Sequence, residues 1–297
     1  MSQNIAQQSG SGLRSRAQME ASHFPALLAR AETLAGTVLL GEHGRRRAGA
    51  GDDFWQYRPL QPGDNYRHID WRRSAKGDDQ FISEREWQVA QSVQLWVDPG
   101  ASMRFSSSRD LPTKADRARL IALAIAVLLI RGGERVGLTG WDLPPRRGEA
   151  QMLRLAEMFG RDDDSDYAEP EARGMLPHAK ALFVSDFLSD IAPIEAALAK
   201  AADRNVRGTL VQVLDPAEEA FPFQGRTIFE SVGKSVAYET LKAGDLRDRY
   251  LSRLAERKDR LETLCRQTGW QFYCHHTNQS AQSALLWLYR ALDGGHP

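Results

Sequence analysis

Asp98 and Ser102 lie four residues apart in Asp98-Pro99-Gly100-Ala101-Ser102, which puts a carboxylate and a hydroxyl into one tight turn where both oxygens can face a single hard cation. The turn follows an apolar run in which Val93, Leu95 and Val97 alternate with Gln94 and Trp96, the pattern of a strand. A second aspartate, Asp186, holds the same position after Ala181-Leu182-Phe183-Val184-Ser185. In open α/β sheets ligands bind beyond the carboxyl ends of the strands, the end at which both aspartates stand. Asp, Gly and Ser are also ordinary turn and cap residues, and each motif alone reads equally as a turn or a helix cap.

Two other groups carry chemistry. Between Asp53 and Lys76, aromatic, arginine and aspartate residues alternate around Pro62-Gly63-Asp64, which suits a hairpin or extended excursion whose guanidinium groups pair with carboxylates and stack on rings. Arg67, Asp70 and Trp71 either knit this segment to the main sheet or face a partner, since Arg and aromatic residues anchor interfaces. Cys274-His275-His276 supplies transition-metal donors without paired spacing or a clear fourth ligand. No catalytic motif is present: Val232-Gly233-Lys234-Ser235 lacks the first glycine of a phosphate loop, and nucleophile-elbow and zincin patterns are missing.

The elements that must position these residues follow from periodicity. Phe24 to Leu40 has a helical stripe. Lys114 to Arg131, Ala- and Leu-rich and ended by Gly132-Gly133, has the length of a crossover helix. Val136 to Trp141 reads as a strand, Glu149 to Phe159 as a helix, and Arg161 to Glu171 as an acidic loop able to lend a carboxylate. A helix at Ile191 to Asp203 with Asp190 as cap, a strand at Arg207 to Leu214 and a hairpin at Thr227 to Tyr238 follow. An amphipathic helix from Leu246 to Leu264, a strand at Trp270 to Cys274 and a helix at Ser280 to Leu292 complete the alternation. Strands alternating with helices predict an α/β fold with a doubly wound, mostly parallel sheet. The expected organisation is a disordered tail at 1–23, an N-terminal helix with a small β-containing subdomain at 24–88, and the α/β domain at 89–297.

Composition narrows the class. Lys plus Arg and Asp plus Glu both total 39, so no global field favours nucleic acid or an anionic membrane. Arg45-Arg46-Arg47 is a local exception, but nine Lys/Arg offset nine Asp/Glu between Gly41 and Ala90. The longest apolar run, Leu120 to Ile130, is too short to span a bilayer, and no signal-peptide pattern precedes it, so a cytoplasmic location without direct membrane insertion is expected. Two cysteines make no disulfide framework.

The ordered set Phe54, Tyr57-Arg58, Pro62-Gly63-Asp64, Arg67, Ile69-Asp70-Trp71, Ser74-Ala75, Glu84 and Glu86 resembles the signature of the domain of unknown function 58 family of bacterial proteins. There it precedes a von Willebrand factor A-like domain. Asp98 to Ser102 resembles that domain's first metal motif, with Gly100 at the middle serine, and Asp186 its third. The resemblance implies a metal-ion-dependent adhesion site held by Asp98, Ser102 and Asp186, degenerate because no threonine lies between Gly140 and Gly208. It further implies a non-catalytic adaptor that works with a MoxR-type AAA+ ATPase in assembly or maturation of other proteins. A Mg²⁺-dependent phosphoester hydrolase and a metal-free scaffold are the alternatives.

Overall fold

The structure, a computed structural model, describes residues 26–38, 54–60, 69–75, 77, 80–85, 91–141, 143–161, 163, 165–171, 173–230 and 237–293. The expected tail at 1–23, the arginine triplet and Arg67 lie outside the described residues. The chain forms two units, one of Met1–Glu42 with Gln91–Pro297 and one of His43–Ala90. The division therefore differs from the expected 24–88 subdomain: the first helix, α1 (26–38), buries Ala31, Ala35 and Val38 in the core of the larger unit.

The smaller unit is a hairpin with a capped turn. Strands β1 (Phe54–Pro59) and β2 (Phe81–Arg85) pair antiparallel, with a register shift between Phe54 and Gln56. Between them lies α2 (Trp71–Ser74), whose N-cap is Asp70: its Oδ1 accepts from the Arg73 backbone N–H at 3.0 Å. The Ser74 hydroxyl donates to the Asp70 carbonyl at 2.8 Å and accepts from the Phe81 N–H at 3.0 Å, fixing the turn to the hairpin.

The larger unit runs β3 (Ser92–Val97), α3 (Lys114–Arg131), β4 (Arg135–Leu138), α4 (Glu149–Phe159), β5 (Lys180–Ser185), α5 (Ala192–Asp203), β6 (Arg207–Leu214), α6 (Pro216–Ala220), β7 (Thr227–Glu230), β8 (Ala237–Thr240), α7 (Arg247–Thr268), β9 (Gln271–His276) and α8 (Ala281–Asp293). Five strands form a sheet in the order β4-β3-β5-β6-β9, and each neighbouring pair is parallel. Alternation sends successive side chains to opposite faces. Leu95, Leu182, Val184, Val211 and Val213 pack in one core with α1, α3, α4 and α8, while Trp96, Ala181, Phe183 and Leu210 pack in the other with α5 and α7. Buried on both faces, these strands read as near-continuous apolar runs. β7 and β8 form a separate hairpin on the same unit.

α3 is apolar almost all round, with buried residues from Ala118 to Ile130, because it lies between the sheet and its neighbouring helices. Thr113 opens it, accepting from the Asp116 N–H at 3.0 Å, and Gly132 closes it. This start sets Lys114, the first helical residue, beneath the carboxyl ends of the strands.

Candidate functional site

β3 and β5 are adjacent, in register from Val93↔Lys180 to Val97↔Val184, and the strand order reverses between them. That switch point opens a crevice beyond the carboxyl ends. Asp98 and Asp186, one residue past each strand, emerge side by side there and are 2% and 1% exposed. The structure thus sets Asp98 beside Asp186, and Ser102 lines the same small cavity as Asp186.

Each already has partners. Asp98 Oδ1 accepts from the Gly100 N–H at 2.8 Å and Oδ2 from the Ser185 hydroxyl at 2.6 Å. Burial raises the Asp98 carboxyl to about 6, partly countered by the Ser185 bond and aided by the neighbouring negative charge of Asp186. Asp186 Oδ1 accepts from the Leu188 N–H at 3.1 Å, while its Oδ2 lies 2.8 Å from Lys114 Nζ. The same ammonium donates to Glu218 Oε1 at 2.6 Å, and the Lys114 side chain is only 2% exposed. Burial alone would push the lysine pKa down; the carboxylates of Asp186 and Glu218 more than reverse this and hold it above its ordinary value.

Glu218 is fixed by α6. Asp215 caps that helix, accepting from the Ala217 N–H at 2.8 Å, and Glu218 Oε2 accepts in return from the Asp215 N–H at 2.8 Å, a capping box. The other Asp215 oxygen accepts from the Ser107 N–H at 2.9 Å, tying the loop after β3 to the end of β6.

This donor set does not fit Mg²⁺ as it stands. Mg²⁺ requires a near-octahedral shell of oxygens at about 2.1 Å. Here an ammonium already neutralises Asp186, and both Asp98 oxygens are hydrogen-bonded. Ser102, in a short 3-10 helix at Ala101–Arg104, keeps a buried hydroxyl without a hydrogen-bond partner among the described residues. Gly100 has a steric cause: a Cβ there would stand 2.9 Å from both the Ala168 nitrogen and Asp98 Oδ1. The acidic loop contributes backbone, its Ser165 and Asp166 carbonyls accepting from the Ala101 and Ser102 N–H groups at 2.8 and 2.9 Å. Asp162 and Asp164 lie outside the described residues.

The expected partner-facing trio divides. Asp70 is the α2 cap, Trp71 is 63% exposed as that helix's first residue, and Arg67 is not described. Lys114 and Glu218 were missed by sequence reasoning. A lysine at the first position of an apolar helix, where the macrodipole favours acids, was the available signal for one, and Asp215-Pro216-Ala217-Glu218 for the other.

Beside the cluster lies a cleft of about 600 Å³ that shares Phe105 and Glu218 with it. Phe221, Phe229 and Tyr250 form its aromatic wall, with the Phe221 ring 5.7 Å from Phe229 and 4.9 Å from Tyr250. Phe221 sits at φ 42°, a left-handed conformation uncommon for a bulky residue, which the rings packed around it hold in place. Arg249 and Arg253, one turn apart on α7, line the rim, are exposed and pair with no carboxylate among the described residues. Ile228, Tyr238 and Leu241 lie exposed on and just after the adjoining hairpin.

The fold and crevice define a doubly wound α/β protein with an ion-paired cluster at its switch point. The chain belongs to the family described as proteins of unknown function DUF58, whose model matches residues 56–260. It is similar to uncharacterized proteins of Mycobacterium tuberculosis and Mycobacterium bovis, 29% identical over 247 residues, 76% of this chain and 75% of theirs. Among solved structures it matches the conserved hypothetical protein BatB of Bacteroides thetaiotaomicron and an aerotolerance-related membrane protein of Bacteroides fragilis. Each is 12% identical, with 69% of this chain and 99% of theirs covered, at a TM-score of 0.38. Among the described residues no helix is long and apolar enough to cross a membrane.

Proposed function

We propose that the protein is a non-catalytic interaction module, von Willebrand factor A-like in fold, that serves a MoxR-type AAA+ ATPase as a cytoplasmic adaptor in assembly or maturation of other proteins. The supporting observation is the aromatic cleft at the carboxyl face, bordered by two exposed arginines, Arg249 and Arg253, and by a hairpin with exposed apolar side chains. Such a surface suits burial of an apolar anchor beside a carboxylate, the chemistry of a protein hot spot. The Lys114 ammonium takes the place of the cation that an adhesion site would use, so capture runs without metal. The hydrolase alternative gains no support, because the carboxylates it would need for Mg²⁺ are engaged by Lys114, Ser185 and backbone N–H groups.

Tagged protein should retain an AAA+ ATPase from native lysate, identified by mass spectrometry, and the double variant Arg249→Glu with Arg253→Glu should lose it while its circular dichroism stays unchanged. Equal retention by the variant would remove the cleft from the mechanism. Absence of any ATPase from both would remove the adaptor role.

A further inference from the structure

A second donor cluster lies at the far edge of the same face. Cys274 and His276 are two apart on β9, so strand alternation turns both to one side of the sheet, and α6 brings Glu219 against them. One ligand atom from each, a sulfur, a ring nitrogen and a carboxylate oxygen, lies within 4.8 Å of the others. His276 Nε2 is 2.6 Å from Glu219 Oε2. His275, between the two β9 donors, turns the other way, its ring 6.3 Å from that of Tyr273.

We propose that Glu219, Cys274 and His276 form a site for a divalent transition-metal ion of the zinc class. Thiolate, imidazole and carboxylate together are a borderline-soft set, unlike the all-oxygen chemistry of Asp98 and Asp186. Bonds of about 2.0–2.3 Å around a tetrahedral ion place donor atoms about 3–4 Å apart, so the observed spacing needs only small side-chain movements. All three side chains are half-buried, leaving a fourth position for water or a partner's side chain.

Lys258 is the competitor. Its ammonium contacts the Glu219 carboxylate and hydrogen-bonds the Cys274 sulfur. Unlike Lys114, which is sealed between two carboxylates, it rides on the surface of α7 with 24% of its side chain exposed and a flexible stem that can swing away. Binding releases this contact and one proton, from the Cys274 thiol to solvent, as the S–H bond gives way to a sulfur–metal bond. The site is independent of the adaptor reading, yet Glu219 adjoins Glu218 on α6, so an ion would brace the helix that presents Glu218 to Lys114.

The test is titration of the chelator-treated full chain with Co²⁺, followed by Zn²⁺. A saturable near-ultraviolet thiolate-to-cobalt band, lost on adding Zn²⁺, is expected. Cys274→Ser should abolish the band, His276→Ala should weaken binding about tenfold or more, and Lys258→Ala should tighten it. Cys265→Ser, which removes the other thiol, should leave the band intact. Absence of a saturable band in both the parent chain and Lys258→Ala would overturn the site, as would a band that survives Cys274→Ser or disappears with Cys265→Ser.

Discussion

Lys114 acquires its meaning from carboxylates 72 and 104 residues away in sequence. Removing one partner of a buried ion pair leaves the rest desolvated and unmatched, a cost of about 3–5 kcal/mol. Urea denaturation should therefore find Lys114→Met destabilised by that amount, with much of the loss recovered when Asp186→Asn is added; no recovery would show that packing rather than charge sets the penalty. Asp98 makes a pH prediction. Its carboxyl rises from 3.8 to about 6 on folding, so the native state holds the proton more tightly than the unfolded chain. Stability contributed by this group accordingly falls as pH rises from 3.8 through about 6, and stays lost above. Asp98→Asn removes that penalty, and its stability relative to the parent should improve by about 3 kcal/mol between pH 3 and pH 8; a difference flat with pH would contradict the assignment. Gly100→Ser, which restores a hydroxyl by sequence analogy, should destabilise the turn, because its Cβ meets Ala168 and Asp98. The two aspartates were legible as polar residues closing apolar strands. The lysine was not, since nothing local distinguishes it from a helix's first solvated residue.

At the scale of elements, patterns bounded by chemical stop signals were readable. Thr113 and Gly132 bracket α3, which spans the expected Lys114 to Arg131, and the Thr227 to Tyr238 hairpin is seen as β7 and β8. α1 was legible as a helix but not as part of the main core, because three inward residues do not say which sheet they meet. α6 was overlooked: five residues carry too little periodicity, although its capping box was present. Close approaches between elements were also hidden. A Cβ at Gly208 would stand 2.3 Å from the Ala181 carbonyl oxygen and 2.9 Å from the Trp270 ring, whose Nε1 donates to the Val206 carbonyl at 3.1 Å. Gly208→Ala should thus force β5, β6 and the indole apart and lower stability by about 1–3 kcal/mol, measurable by chemical denaturation; a neutral result would mean that the sheet yields there without cost.

At the largest scale, the sheet of the larger unit is buried on both faces, and the ion-paired cluster and the aromatic cleft lie past the carboxyl ends of its strands. The switch point is closed by an internal ammonium, and the neighbouring cleft stays open and aromatic. On the proposed reading, the carboxyl face is neutralised by the protein's own Lys114 rather than by a divalent ion. Calorimetric titration with Mg²⁺ of the parent chain and of Lys114→Ala tests this most directly. The parent should show no saturable heat and no rise in unfolding temperature. Lys114→Ala, in which Asp186 and Glu218 lose their counter-charge, should gain both. Saturable Mg²⁺ binding by the parent, abolished by Asp98→Ala, would contradict the closed switch point and restore a metal-held adhesion site.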